Sequence, residues 1–307
     1  MHRELAASLA HIAESLTGAY PNECAQLREF VARLDSGVRV PALAFGTYFE
    51  IARTLLAGDP APVPQLVNKL TSLPERASAL TVCAAGASNA AALMEALRNP
   101  GAGTVDMAPV TPATAASFSA LLQDGLALMA ETLPELHGEV TSIVHEVLLA
   151  HSPPGQKMEF DGASHYQFWG LLMLNPKHHA TPLAVVEVLA HESAHSLLFG
   201  LTIEEPLVFN PDEELYDSPL RIDPRPMDGI FHATFVSARM AWAMGRLAAD
   251  PRLTAEERAA AAEAARTDRE NFAKGVSVVD EHARLSETGA ALIAAAREAM
   301  TAQTLPR

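Results

Sequence analysis

Between Thr181 and Gly200 the chain carries two histidines that an apolar core cannot absorb without partners. The run Pro182-Leu183-Ala184-Val185-Val186-Glu187-Val188-Leu189-Ala190 leads into His191-Glu192-Ser193-Ala194-His195 and continues as Ser196-Leu197-Leu198-Phe199. Thr181 before a proline is the pattern of an N-cap followed by proline at the first helical position, and Gly200 is a stop, so one apolar helix is predicted over 182–200. Positions i and i+4 of a helix stack on one face. The HExxH spacing therefore brings the imidazoles of His191 and His195 close enough to share one metal ion, with Glu192 about 100° further round. Without a metal, each imidazole would need another buried partner. Any fold of this chain has to bury that helix and still offer its histidine face to a third group.

The rest of the pattern is mostly helical. Residues 1–150 are rich in Ala and Leu at helical spacing, broken at Gly18, Pro21, Gly37, Pro41, Gly58, Pro60, Pro62, Pro64, Pro100 and Gly101. Two helices are predicted within 112–150, split near Leu133-Pro134. The turn-rich break His151-Ser152-Pro153-Pro154-Gly155 precedes predicted strands at Met158-Glu159-Phe160 and over 166–174, a small sheet. After the HExxH helix come a long acidic, proline-rich loop over 201–226, an apolar helix over 227–248 and one or two amphipathic helices over 254–302. The expected fold is mainly α (α+β): a helical N-terminal region, 1–150, then a zincin-like metal-binding helical core with a small β-sheet, 151–307, packed as one unit.

Composition narrows the partners. Hydrophobic residues make up 49% of the 307 and charged residues 19%, the balance of a folded globular protein. Lys+Arg 22 against Asp+Glu 37 gives a net charge of -15, which repels phosphate backbones and anionic lipid, so neither nucleic acid nor membrane is expected as a partner. Cys24 and Cys83 lack CxxC or CxxH spacing, Glu4 and Glu14 interrupt any signal-peptide pattern, and no window reaches 18 uninterrupted apolar residues. The expected compartment is the cytoplasm.

Two histidines hold a catalytic metal poorly, so a third ligand has to come from elsewhere. Asp228 and His232 stand i, i+4 on the following helix, and Asp223 lies in the loop before it. A carboxylate would make a 2-His-1-carboxylate set, which suits a non-haem Fe(II) oxygenase as well as a zinc peptidase. Asp228 also reads as a charge favoured at a helix N-terminus, and His232 as a core histidine or a group behind a ligand. Arg221 and Arg225, in Ser218-Pro219-Leu220-Arg221-Ile222-Asp223-Pro224-Arg225-Pro226, offer planar guanidinium forks for a carboxylate, or an ion pair with Asp217 or Asp223. His165, His178 and His179 lie in loops before the HExxH helix; Phe231 and Phe235 flank His232.

The segments Leu189-Ala190-His191-Glu192-Ser193-Ala194-His195-Ser196-Leu197-Leu198, Tyr216-Asp217-Ser218-Pro219-Leu220-Arg221 and Asp223-Pro224-Arg225-Pro226-Met227-Asp228-Gly229-Ile230-Phe231-His232-Ala233-Thr234-Phe235 together resemble the HExxH-motif proteins of peptide-modification gene clusters. The resemblance covers about residues 166–245. It implies an Fe(II)- and 2-oxoglutarate-dependent dioxygenase that hydroxylates the β-carbon of a residue in a ribosomally synthesised precursor peptide, in a stand-alone form because the chain lacks the CxxxCxxC of a radical-SAM fusion. Placed on this sequence, it implies iron on His191, His195 and a third group, with Asp228 favoured and His232 a near-equal alternative. The distal carboxylate of 2-oxoglutarate goes to Arg225, with Arg221 as runner-up, and Glu192 orients a ligand. The rival is a zinc metallopeptidase with Glu192 as general base on a zinc-bound water; a third class is a metal-stabilised peptide-binding module. The acidic balance favours a peptide of basic character.

Overall fold

The computed structural model describes residues 1–77, 79–84, 88–98, 107–153, 155 and 159–304. The chain is mainly helical with a small sheet, and divides into two compact units. Unit 1 comprises Met1–Ala116 and Ile143–Pro176; unit 2 comprises Ser117–Ser142 and Lys177–Arg307. The 150/151 boundary drawn from sequence thus falls inside unit 1, and the strand-forming segment after it belongs with the N-terminal helices.

In unit 1, α1 (His2–Leu16), α2 (Pro21–Asp35), α3 (Ala42–Leu56) and α4 (Val63–Thr71) share a core that includes Leu9, Leu27, Phe30, Ile51 and Leu70. Beside them β1 (Thr81–Cys83), β3 (Glu146–His151) and β5 (Leu171–Leu174) run parallel in the order β1-β3-β5, with β4 (Gly162–Ser164) antiparallel on the far edge of β5. A short β2 (Ala108–Pro109) pairs antiparallel with the end of β3, and α5 (Ser88–Leu97) follows β1. Strand β3 corrects the expected helix over 112–150. Val147, Leu148, Leu149 and Ala150 are all 0% exposed, and a strand buried on both faces shows a continuous apolar run with no period to separate it from a buried helix.

The expected strand over 166–174 narrows to its last four residues for a local reason. Gly170 has φ +87°, and a Cβ there would stand 2.7 Å from Cδ2 of His145, so the backbone turns before the strand begins. Glu159 and Phe160 lie outside any strand; Met158, Pro100, Gly101 and Pro154 lie outside the described residues.

Unit 2 holds most of α6 (Pro112–Thr132), α7 (Pro134–Ile143), α8 (Pro182–Leu201), α9 (Met227–Ala248), α10 (Ala255–His282) and α11 (Glu287–Thr304), plus a two-stranded ribbon of β6 (Leu215–Tyr216) and β7 (Arg225–Pro226) within the long loop. Thr181 caps α8, its Oγ1 accepting from the Ala184 N–H at 3.2 Å, with Pro182 at the first position. Pro134 splits α6 from α7, and a capping box of Thr254 and Glu257 opens α10. Among the described residues no helix is long and apolar enough to cross a membrane.

Helix α9 is the centre of unit 2. Fifteen of its residues are buried, against α8 on one side and α10 and α11 on others. The α9–α10 approach is close because Gly275 has no side chain: a Cβ there would meet Thr234 Oγ1 at 2.2 Å and Pro219 Cγ at 3.2 Å. Gly275→Ala therefore pushes α10 from α9 two residues beyond His232. The expected cost is about 1–3 kcal/mol, read as a lowered midpoint in urea unfolding at unchanged slope.

Candidate metal centre

Packing of α8 on α9 brings three imidazoles into one row. His191 and His195 come from consecutive turns of α8, and His232 from the second turn of α9. The Nε2 atoms of His191 and His195 are 3.2 Å apart, and Nδ1 of His195 is 2.9 Å from Nδ1 of His232. The His195 and His232 rings stack at 5.2 Å between centroids, and Phe199 closes the side of the row, 5.5 Å from the His232 ring. At the other end, Nδ1 of His191 meets the thioether of Met240, 3.3 Å from Sδ.

The first pair fits a metal. Two nitrogens each about 2.0–2.1 Å from one ion, at angles of about 90–109°, are about 2.8–3.4 Å apart, and 3.2 Å falls inside that range. The third side chain is not in the matching place. His195 meets its two neighbours through opposite ring nitrogens, and one imidazole gives only one nitrogen to a given ion. Among the described residues no group of three or more His, Cys, Asp or Glu is arranged to hold a metal ion as the side chains stand. His232 sits instead where a group behind a ligand sits, on the Nδ1 side of His195.

The other candidates are spread around this row. Glu192 is 4% exposed, and its Oε1 is 3.9 Å from Nε2 of His191, the nitrogen that faces the shared position. Asp228 is exposed in the first turn of α9, and its charge opposes the effect of burial on His232. Asp223 is bound to Arg225, Oδ2 to Nη2 at 2.7 Å, which is the ion pair weighed from sequence; the Nε of Arg225 is buried without an acceptor. Arg221 is exposed, yet its charge is among those acting on His195. His179 is buried with its ring 6.4 Å from Phe118, and His165 stacks on Tyr166 in unit 1. Phe231 is core at 0% exposed, and Phe235 at 7% packs in the same cluster.

Sequence reasoning missed Met240. The available signal was its position two turns after His232 on the same helix. Because α8 and α9 pack with the later residue of one beside the earlier residue of the other, that spacing reaches His191 while His232 reaches His195.

Electrostatics favour neutral rings. His195 is held well below the usual histidine pKa by burial first, then by His191, His232 and Arg221; burial likewise lowers His232. A depressed folded-state pKa means that the unfolded chain takes up protons below about 6.5 which the folded site refuses, so this stabilisation is present above that pH and lost as the pH falls. His2 and His145 in unit 1, both lowered to about 4 chiefly by burial, act in the same direction. Asp268, raised to about 7 chiefly by burial, acts in the opposite sense over the same range, so the contribution of His195 is read as a difference: on acidification from about pH 6.5 to about pH 4.5, metal-free wild type is expected to fare worse in urea titrations than His195→Gln. An unchanged slope in that variant would remove His195 from the account.

Compared with known proteins, the chain matches no family model and no curated sequence.

Proposed function

We propose that the chain is an Fe(II)- and 2-oxoglutarate-dependent oxygenase that hydroxylates the β-carbon of a residue in a ribosomally made precursor peptide, with α8 and α9 as a zincin-like core. One observation carries the reading beyond the sequence motif: two imidazole Nε2 atoms at metal-sharing separation, with a third imidazole behind them. When bound, Fe(II) with 2-oxoglutarate and dioxygen would supply the oxidising chemistry that replaces a C–H bond with C–OH, one oxygen atom going to the product and the other to succinate as CO2 is released.

The protein's own groups have separate tasks. His191 and His195 hold the ion through Nε2. His232 holds the His195 ring through Nδ1, and the proposed third donor is the carboxylate of Asp228, one turn earlier on α9, which is exposed and would have to turn toward the row. Arg221 takes the distal carboxylate of 2-oxoglutarate ahead of Arg225, because Arg225 is engaged with Asp223 whereas Arg221 already acts on the histidine row. Glu192, shielded from water with its Oε1 3.9 Å from Nε2 of His191, places a negative charge beside the position of the ion. The exposed acidic residues of the loop between α8 and α9, among them Asp212, Glu213 and Asp217, suit a peptide of basic character.

A second reading has an observation of its own. The Glu192 carboxylate lies on the Nε2 side of His191, where the general base of a zinc hydrolase stands, and a zinc metallopeptidase would use it to take a proton from water.

The deciding measurement is an anaerobic titration of metal-free protein with Fe(II) and then 2-oxoglutarate, following the visible charge-transfer band. The oxygenase reading expects a band only with both present, lost in Asp228→Ala, weakened in Arg221→Ala more than in Arg225→Ala, and shifted to about 10–100-fold higher Fe(II) in His232→Gln. Stoichiometric zinc in the purified protein, no band, and peptide cleavage abolished by Glu192→Gln would establish the hydrolase instead.

A further inference from the structure

The contact between His191 and Met240 fixes more than ring position. A thioether sulfur accepts hydrogen bonds and has no proton to donate, so at 3.3 Å from Sδ the His191 Nδ1 must be the donor. A neutral imidazole carries one N–H, which leaves a lone pair on Nε2 of His191. That lone pair faces Nε2 of His195 at 3.2 Å, so in the metal-free protein His195 carries its proton on Nε2 and accepts at Nδ1 from the Nδ1–H of His232, 2.9 Å away; an ion on Nε2 of His195 would displace that proton to Nδ1, and His232 would then accept at its own Nδ1 with its proton on Nε2. The protonation pattern of the whole row follows from the sulfur at its end.

We propose that Met240 is a positioning residue for the metal site: its sulfur holds His191 in the tautomer that presents Nε2. The inference rests on the reading of His191 and His195 as metal ligands, and adds to it a residue that touches neither metal nor substrate. Met240 is 8% exposed on α9, a buried helix, so its sulfur is fixed by the α8–α9 packing rather than by a mobile surface chain. Metal-bound histidines commonly give the second N–H to a carboxylate or a carbonyl oxygen. Sulfur is a weaker acceptor, so His191 is oriented without the added basicity that a carboxylate would give it.

The test separates orientation from packing. Met240→Leu keeps nearly the same volume and apolar character but has no acceptor, so it retains the fold. Met240→Gln puts a carbonyl oxygen within reach of Nδ1. In metal-free wild type at pH 8, ring ¹⁵N shifts should show His191 protonated on Nδ1. In Met240→Leu both tautomers should appear, and competitive titration with Fe(II), and separately with Zn(II), should show affinity about tenfold weaker, restored in Met240→Gln. A packing role alone predicts no rescue by glutamine. Wild-type His191 protonated on Nε2, or Met240→Leu binding metal as tightly as wild type, would overturn the assignment. A wild type that binds neither metal overturns the metal-site reading itself, and the tautomer measurement, made on metal-free protein, still decides what Met240 does to His191.

Discussion

The packing of α8 against α9 is the constraint on which unit 2 depends. Neither helix carries the histidine row alone: α8 supplies His191 and His195 one turn apart, and α9 supplies His232 and Met240 two turns apart. The antiparallel pairing converts those spacings into contacts at both ends of the row. Polar side chains inside such an interface cost stability unless each finds a partner, and here the partners are one another. This mutual dependence makes the row sensitive to shifts of α9 that would pass unnoticed in a purely apolar seam, where side chains of similar volume can exchange neighbours. Gly275 and Thr234 matter in this respect because they set how closely α10 holds α9 from the opposite side.

Much of unit 2 was legible in the sequence because its signals are local. Thr181-Pro182 gave the start of α8, Pro134 the break between α6 and α7, and the apolar run after Pro226 the length of α9. The HExxH spacing needed only helical geometry. Strand β3 was not legible: it is buried on both faces, and what makes it a strand is its pairing with β1 and β5, from residues far along the chain in either direction. The β6–β7 ribbon, two residues a strand, is too short to carry any periodicity.

The site divides along the same line. That His191 and His195 share a face was readable from spacing, and so was His232 as a candidate. Which nitrogen each ring turns toward its neighbour was not, since it depends on the relative axial position of two helices. The same holds for Arg225, whose nearest carboxylate two residues away was readable as a partner, and for Arg221, whose action on His195 depends on how the loop folds back. The loop itself is half anchored. Around 207–210 it is tied to the α10–α11 junction by Phe209 N–H to Arg284 O at 2.7 Å and Asn210 Nδ2 to His282 O at 2.9 Å, while Ile222 further on is fully exposed beside Arg221.

The discontinuous units bear on how the chain is made. It passes from unit 1 to unit 2 after Ala116, returns after Ser142 and leaves again after Pro176, so neither unit is a single stretch of sequence. During synthesis β1 has to wait for β3 before it has a paired neighbour, and the unit 2 part of α6, with α7, emerges well before α8 and α9. The helices α1–α4 and α8–α11 can each pack within a continuous stretch, whereas the sheet of unit 1 and the seat of α6 and α7 in unit 2 need contacts between distant segments. For the interval between residues 142 and 177, the growing chain carries apolar helices whose partners do not yet exist, the interval in which an assisting chaperone would have most to hold.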